Sequence, residues 1–230
     1  MRKIGLIGGV GWRSTEFYYR FLNEEVAFRL GGLRSPPLAI ESLDFAQVRA
    51  WVDAGREDKL RALYVRAACA LKSTGAKVLA LCSNAAHTRI AYLQEVTQMP
   101  FVHISTPLVA EISRKGFRKV LLLGTRETME HDFMKDALRS GGTEVVVPDK
   151  DERDWLHHMI FEDLEQGAAT ALQKARLVAM IDTYAQAGVQ AAILGCTELP
   201  LLLGPSYACI PCLDTTRLHA QAILDAALET

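Results

Sequence analysis

Lys77-Val78-Leu79-Ala80-Leu81-Cys82-Ser83-Asn84 and Gln190-Ala191-Ala192-Ile193-Leu194-Gly195-Cys196-Thr197-Glu198 decide how this chain folds. Each is a short apolar run, too short for a helix and bounded by polar residues, so each reads as a buried strand. Each ends in small, nucleophile-grade side chains, where a parallel strand opens into a ligand crevice. Matching Leu81-Cys82-Ser83-Asn84 to Leu194-Gly195-Cys196-Thr197 aligns Ser83, not Cys82, with Cys196. Side chains alternate faces along a strand, so that single step decides which residue points into the crevice.

Outward from these segments the same order of events occurs twice. Lys3-Ile4-Gly5-Leu6-Ile7-Gly8-Gly9 resembles Lys119-Val120-Leu121-Leu122-Leu123-Gly124-Thr125 in pattern, and Pro100-Phe101-Val102-His103 matches Ala208-Cys209-Ile210-Pro211. Strands are expected at 3–7, 37–42, 77–81, 101–104, 119–123, 143–147, 191–194 and 209–213, alternating with amphipathic stretches, the α/β signature. Ser14 or Thr15 can cap a helix that carries Tyr18, Leu22 and Val26 on one face. A second helix from about Asp58 to Ser73 presents Leu60, Leu63, Ala67 and Leu71, with Gly75 beyond its end. The expected architecture is two similar α/β lobes, each a mainly parallel sheet flanked by helices. Residues 1–105 with 208–230 form the first lobe and 106–207 the second. The last helix, from about Thr215, would bury Leu218, Ala222 and Leu228 and pack back on the first lobe. Strand C-termini of two such sheets can face a shared cleft, where the active site is expected.

Composition narrows the classes. The 230 residues carry a formal net charge of -1, which argues against a polyanion-binding surface and so against a nucleic-acid partner. No long apolar stretch reads as a membrane span, and the N-terminus runs directly into a strand, unlike a secretory signal, so the cytoplasm is the expected location. Five scattered cysteines do not read as a disulfide framework. Cys209-Ile210-Pro211-Cys212 has C-x-x-C spacing but sits in an apolar, strand-like segment. Two small buried side chains are the simpler reading there.

The chemistry is expected at the strand ends. A thiol such as Cys196 suits proton transfer if a helix N-terminus or a cation lowers its pKa. The Ser83 hydroxyl is a far weaker acid and needs an adjacent base. Asn84 and Thr197 can hydrogen-bond a carboxylate, and Arg49, Arg126 and Lys174 are available to pair with one. His87 is either a second acid–base group or a residue that orients its loop, and His219 reads as a helix-face residue. His157 and His158 are adjacent and point to different helix faces, unlike metal ligands, so no metal site is expected. Gly8-Gly9-Val10-Gly11-Trp12-Arg13-Ser14 lacks the lysine of a P-loop and G-x-G-x-x-G spacing, and reads as a tight turn open to a small anion.

These segments together resemble the cofactor-independent aspartate/glutamate racemase family, particularly its aspartate racemase branch. The run Ile4 to Thr15 with Tyr18-Tyr19 is similar to that branch's "IGLIGGMSWEST…YY" start. Leu43-Asp44-Phe45 resembles its "VDF", Gly124-Thr125-Arg126-Glu127-Thr128-Met129 its "GTRFTM", and Leu194-Gly195-Cys196-Thr197-Glu198 its "LGCTE". The likeness spans essentially the whole chain. It implies two catalytic positions flanking the substrate α-carbon, here Cys196 and Ser83. It also implies substrate contacts at Gly9, Val10, Asn84, Ala85, Thr125, Thr128, Thr197 and Glu198, no cofactor, a free amino acid as substrate, and a homodimer. The first family site reads Cys-Asn-Thr-Ala-His, whereas this chain has Ser83-Asn84-Ala85-Ala86-His87. Serine thus stands in the cysteine position, which implies asymmetric turnover of acidic L-amino acids. Relatives with other chemistry, such as single-cysteine decarboxylases and isomerases, and a binding protein without turnover are the alternatives.

Overall fold

Seven strands form two sheets in the computed structural model, which describes residues 1–203 and 208–229. β1 (Ile4–Gly8), β2 (Leu38–Ser42) and β3 (Val78–Leu81) make the first sheet, in the order β2-β1-β3. β4 (Lys119–Gly124), β5 (Glu144–Val146), β6 (Ala191–Gly195) and β7 (Cys212–Asp214) make the second, in the order β5-β4-β6-β7. Every pairing is parallel. The chain divides into two compact units, Met1–His103 with His219–Thr230, and Ile104–Leu218.

The two sheets share a register. Ile7 pairs with Leu81 in the first unit and Leu123 with Leu194 in the second. Ser83 and Cys196 therefore lie the same number of steps past their strand pairings, as the sequence alignment of the two copies requires. The fourth position differs. The strand expected at 101–104 is a single parallel bridge, Leu79 to Phe101, because Ser105-Thr106-Pro107 opens a helix, Ser105–Lys115, immediately afterwards. Proline's fixed φ suits a first helical turn and removes a ladder donor. The strand expected at 209–213 pairs only over Cys212–Asp214, since Pro211 can accept from Ala192 N–H (2.9 Å) but cannot donate.

That last pairing corrects the lobe boundary. β7 is bound to β6, so the crossing back to the first unit follows Leu218 rather than position 208; the boundary at 207 itself lies outside the described residues. The C-terminal helix, Thr215–Leu228, does pack into the first unit, burying Ala220, Ile223, Leu224 and Ala227, with Leu228 partly buried against them; Leu218 and Ala222 are not in that cluster. The helix Trp12–Leu30 buries Tyr18, Leu22 and Val26 as its spacing dictates, but Gly11 precedes it and no side chain caps it. Ser14 and Thr15 sit inside its first turn with other tasks. In the helix Glu57–Ser73, Leu60, Ala67 and Leu71 are buried and Tyr64 replaces Leu63 in the apolar stripe.

Strand alternation sorts the core. Ile4, Leu6, Ala80 and Cys82 face the Trp12–Leu30 and C-terminal helices, whereas Ile7, Leu79 and Leu81 face the helix Glu57–Ser73. In the second unit Leu121, Leu123, Ala192, Leu194 and Cys196 share one cluster, and Val120, Leu122, Ala191 and Ile193 the other. Such fully buried aliphatic side chains each contribute roughly 1.5–3 kcal/mol. They hold the strand ends, and hence the residues just beyond them, in fixed positions. No helix among the described residues is long and apolar enough to cross a membrane.

Candidate active site

In the first unit the strand end is tied down by main-chain and side-chain bonds. Cys82 N–H donates to Ile7 O (2.9 Å), and the buried Ser14 hydroxyl donates to Cys82 O (2.5 Å). Cys82 is 1% exposed among Ile4, Leu6, Tyr18 and Leu22, and burial pushes its thiol far above the ordinary range. It is a core residue, as two small buried atoms one step short of the crevice should be. Ser83 follows, half-buried, then Asn84, buried, and Ala85, half-buried, at the start of a short 3₁₀ segment, Ala85–Arg89. Gly9, on the neighbouring strand end, has a φ of 85° and donates its N–H to Thr15 Oγ1 (2.8 Å). A Cβ there would fall 2.1 Å from Leu43 O, so only glycine fits this turn. Val10 beside it is half-buried.

His87 settles between its two expected roles by the direction of its ring. Its Nδ1 lies 2.9 Å from Ser83 O. A carbonyl only accepts, so Nδ1 carries the proton and Nε2 is left with a bare lone pair. Nε2 is buried and has no hydrogen-bond partner among the described residues. The ring stacks edge-on against His103 (5.2 Å between centroids) and His219 (5.1 Å). His219 is fully buried, donating from Nε2 to Val102 O (2.8 Å) and accepting at Nδ1 from Tyr18 OH (2.7 Å). Burial holds His87 well below the usual imidazole range and brings His219 down to about 4. Both rings are neutral near pH 7 and act as orienting groups: His87 pins the carbonyl of Ser83 and leaves its hydroxyl alone. His219 is thus a core residue rather than a plain helix-face one. The Tyr18–His219–His87 cluster was missed in the sequence because its members lie far apart along the chain.

The second unit ends its strand differently. Gly124 and Gly195 approach closely: a Cβ on Gly195 would fall 2.7 Å from Leu123 O and 2.9 Å from Thr128 Cγ2. Thr125 caps the short helix Arg126–Glu130, its side chain accepting from Thr128 N–H (3.4 Å), and both threonines are buried. Thr215 Oγ1 donates to Leu194 O (2.8 Å) and closes the β6 end. Cys196 follows, 8% exposed, with its Sγ–H donating to Glu198 Oε2 at 2.9 Å. Thr197 Oγ1 donates to the same oxygen at 2.7 Å, and Glu198 is 2% exposed.

The condition set for Cys196, a thiol pKa lowered by a helix N-terminus or a cation, is not met. Burial, then the Glu198 charge, raise the Cys196 thiol well above its ordinary range, with Glu165 adding in the same direction. The contact is made in the turn after β6, where residues 196–198 leave the strand. Of the cations considered, Arg126 pairs with Asp154 (2.8 Å) and Arg49 with Asp53 (3.0 Å), both within their own units. His157 is half-buried and His158 exposed, and no group of three or more metal-ligating side chains is gathered among the described residues. Cys209 is exposed, against the reading of two buried side chains, and its N–H donates to Asp182 Oδ1 (3.3 Å), while the half-buried Cys212 opens β7.

Parallel sheets repeated in two units, each flanked by helices, are the two-lobe α/β architecture of the racemases that this chain resembles. The chain belongs to the Asp/Glu/Hydantoin racemase family, whose model matches residues 7–223. A crystal structure from Yersinia pestis, described as an Asp/Glu racemase candidate, is 36% identical, with a TM-score of 0.92 over 100% of both chains. A Pyrococcus horikoshii protein described as an aspartate racemase homologue, PH1733, is 33% identical, with a TM-score of 0.86 and the same full coverage. The broad specificity amino-acid racemase RacX of Bacillus subtilis is 23% identical over 171 residues, 74% of each chain. The resemblance read from the motifs therefore stands, and with it the enzyme class, a pyridoxal-phosphate-independent amino-acid racemase.

Proposed function

We propose that this protein moves the α-proton of an acidic amino acid, aspartate or glutamate, with Cys196 acting on one face of Cα and Ser83 on the other. The observation that carries the reading is the unequal equipment of two equivalent strand ends. Cys196 has a proton acceptor at 2.9 Å, whereas the imidazole nearest Ser83 is spent on that residue's carbonyl. A thiol with a partner base can cycle between its two protonation states; a serine hydroxyl without one stays protonated near neutral pH. Exchange is then fast on the face served by Cys196 and slow on the other, so turnover is one-sided. The amides after β1 and the side chains of Asn84 and Thr197 are the groups this reading assigns to the substrate carboxylates, with Gly9, Val10, Ala85, Thr125 and Thr128 shaping the site. Glu198, already accepting two hydrogen bonds, is better suited to serve the thiol than the substrate.

The test is proton exchange in heavy water, followed at Cα of L- and D-aspartate and glutamate. Exchange should be confined largely to one enantiomer and should vanish in Cys196→Ala. Equal exchange in that variant would remove the assignment. Loss of carbon dioxide from a malonate-type substrate would favour the single-cysteine decarboxylase reading, and binding without exchange a sensor. The same reading takes the protein to be a cytoplasmic homodimer, which light scattering in solution checks for the oligomer.

A further inference from the structure

We propose that the Glu57–Arg89 ion pair is a clasp that holds the Ser83-Asn84-Ala85 turn in the position the substrate needs. This rests on the racemase reading above, and both members are positioning residues that do not touch the amino acid. Arg89 closes the 3₁₀ segment Ala85–Arg89, and its Nη2 donates to Glu57 Oε2 at 2.7 Å. Glu57 opens the helix Glu57–Ser73, 32 residues away along the chain. The Arg89 side chain is 15% exposed, the least of any arginine in an ion pair among the described residues. Its guanidinium lies 5.9 Å from the ring centroid of Tyr64, which is buried on the same helix as Glu57. Arg61 Nε donates to the other carboxylate oxygen of Glu57 at 3.2 Å and so fixes the direction of the acceptor.

The pair is a poor device for stability and a good one for placement. Arg89 Nε is buried without a hydrogen-bond partner among the described residues, a cost that an aliphatic side chain would avoid. Its acceptor Glu57 is 43% exposed, and ion pairs open to water add little to global stability. A guanidinium instead fixes distance and direction together, as a point charge does not. Cys82 is tied to Ile7 and Ser14 before the turn, and His87 ties Ser83 O from within it. Arg89 fastens the far end of the turn to a separate helix. That helix follows Phe45–Asp53, whose cap Asp44 adjoins Leu43, and the Leu43 main chain packs against Gly9. The clasp therefore couples the turn after β3 to the segment that backs the turn after β1. These are the two turns of this unit to which the racemase reading gives the substrate, and a misplacement of about an ångström there is felt at the reacting carbon.

A clasp has signatures that a packing role lacks. Arg89→Met keeps the apolar stem and removes the charge. It should raise KM for Cα exchange about tenfold while kcat on the face served by Cys196 moves by no more than about twofold. Arg89→Lys, which keeps a cation near Glu57, should recover part of that loss. Glu57→Gln should match Arg89→Met, and the double variant should be no worse than either single one, as expected of two residues acting as a unit. Amide hydrogen exchange, read by peptide mass spectrometry, reports the same device without substrate. In Arg89→Met the amides of residues 84–89 should exchange about tenfold faster, while those of β1 and β3 keep the parent's rates. Should no amino acid exchange at Cα, the racemase reading fails and the amide pattern alone decides the clasp. A KM at the parent value, additive losses in the double variant, or amide rates that rise evenly along the chain would each overturn it.

Discussion

The β3 end and the β6 end are the same piece of architecture carrying opposite electrostatics. Past β6 a thiol donates to a buried carboxylate, and burial with nearby negative charge holds that thiol protonated. Past β3 a hydroxyl is backed by neutral imidazoles whose hydrogen bonds run to backbone carbonyls and a tyrosine. Duplication therefore fixed position and left chemistry free: equivalent registers guarantee where a side chain stands, not whether it can exchange a proton.

The sharpest break of this comparison is Cys196→Ala, expected to reduce Cα exchange about a thousandfold while leaving the thermal melt nearly unchanged. If the two ends were equivalent, this variant would retain half the machinery and a measurable rate in one direction.

Acid should find the other end. His219 stays neutral in the folded chain down to about pH 4, whereas an imidazole in the unfolded chain takes its proton near 6.5. Between those values the unfolded state binds more protons, so stability is whole above about pH 6.5 and falls as pH drops toward 4. The loss is on the order of 3 kcal/mol for His219, and His87 adds in the same direction. Urea melts at pH 7.5 and 4.5 measure it, and the slope should be shallower in His219→Asn. A stability that holds down to pH 4.5 would mean these rings are not buried neutral.

Ser83→Cys sharpens the comparison by removing one difference. It should bring the two directions of exchange closer by about tenfold, read by chiral chromatography from either enantiomer. An unchanged ratio would say that the missing base, not the missing thiol, limits that face. The smallest effect belongs to Cys82→Ala: a stability cost of about 1 kcal/mol with Cα exchange unaltered, because this thiol is core.

Much of this was legible beforehand. Most strand segments, the Tyr18–Leu22–Val26 stripe, most of the Leu60–Leu71 stripe and the one-step offset between Cys82 and Ser83 follow from periods of 2 and 3.6 and from the internal repeat. What escaped shares one cause. The bridge at Phe101, the late return after Leu218, and the use of Ser14 for Cys82 O are tertiary outcomes. In each, a proline or a partner distant in sequence overrode local preference. A lowered Cys196 pKa fails as a condition because burial, and then negative charge from a neighbour two residues on, act where a helix N-terminus or a cation was needed.

The crowding at Gly195 separates the two ends in what replacements they will admit. In the first unit the matching position tolerates a full cysteine side chain, sheltered in an apolar cluster. At 195 even a methyl group would strike a carbonyl of the adjoining strand. One end has room for a side chain the size of cysteine within its core, while the other admits none beside Cys196.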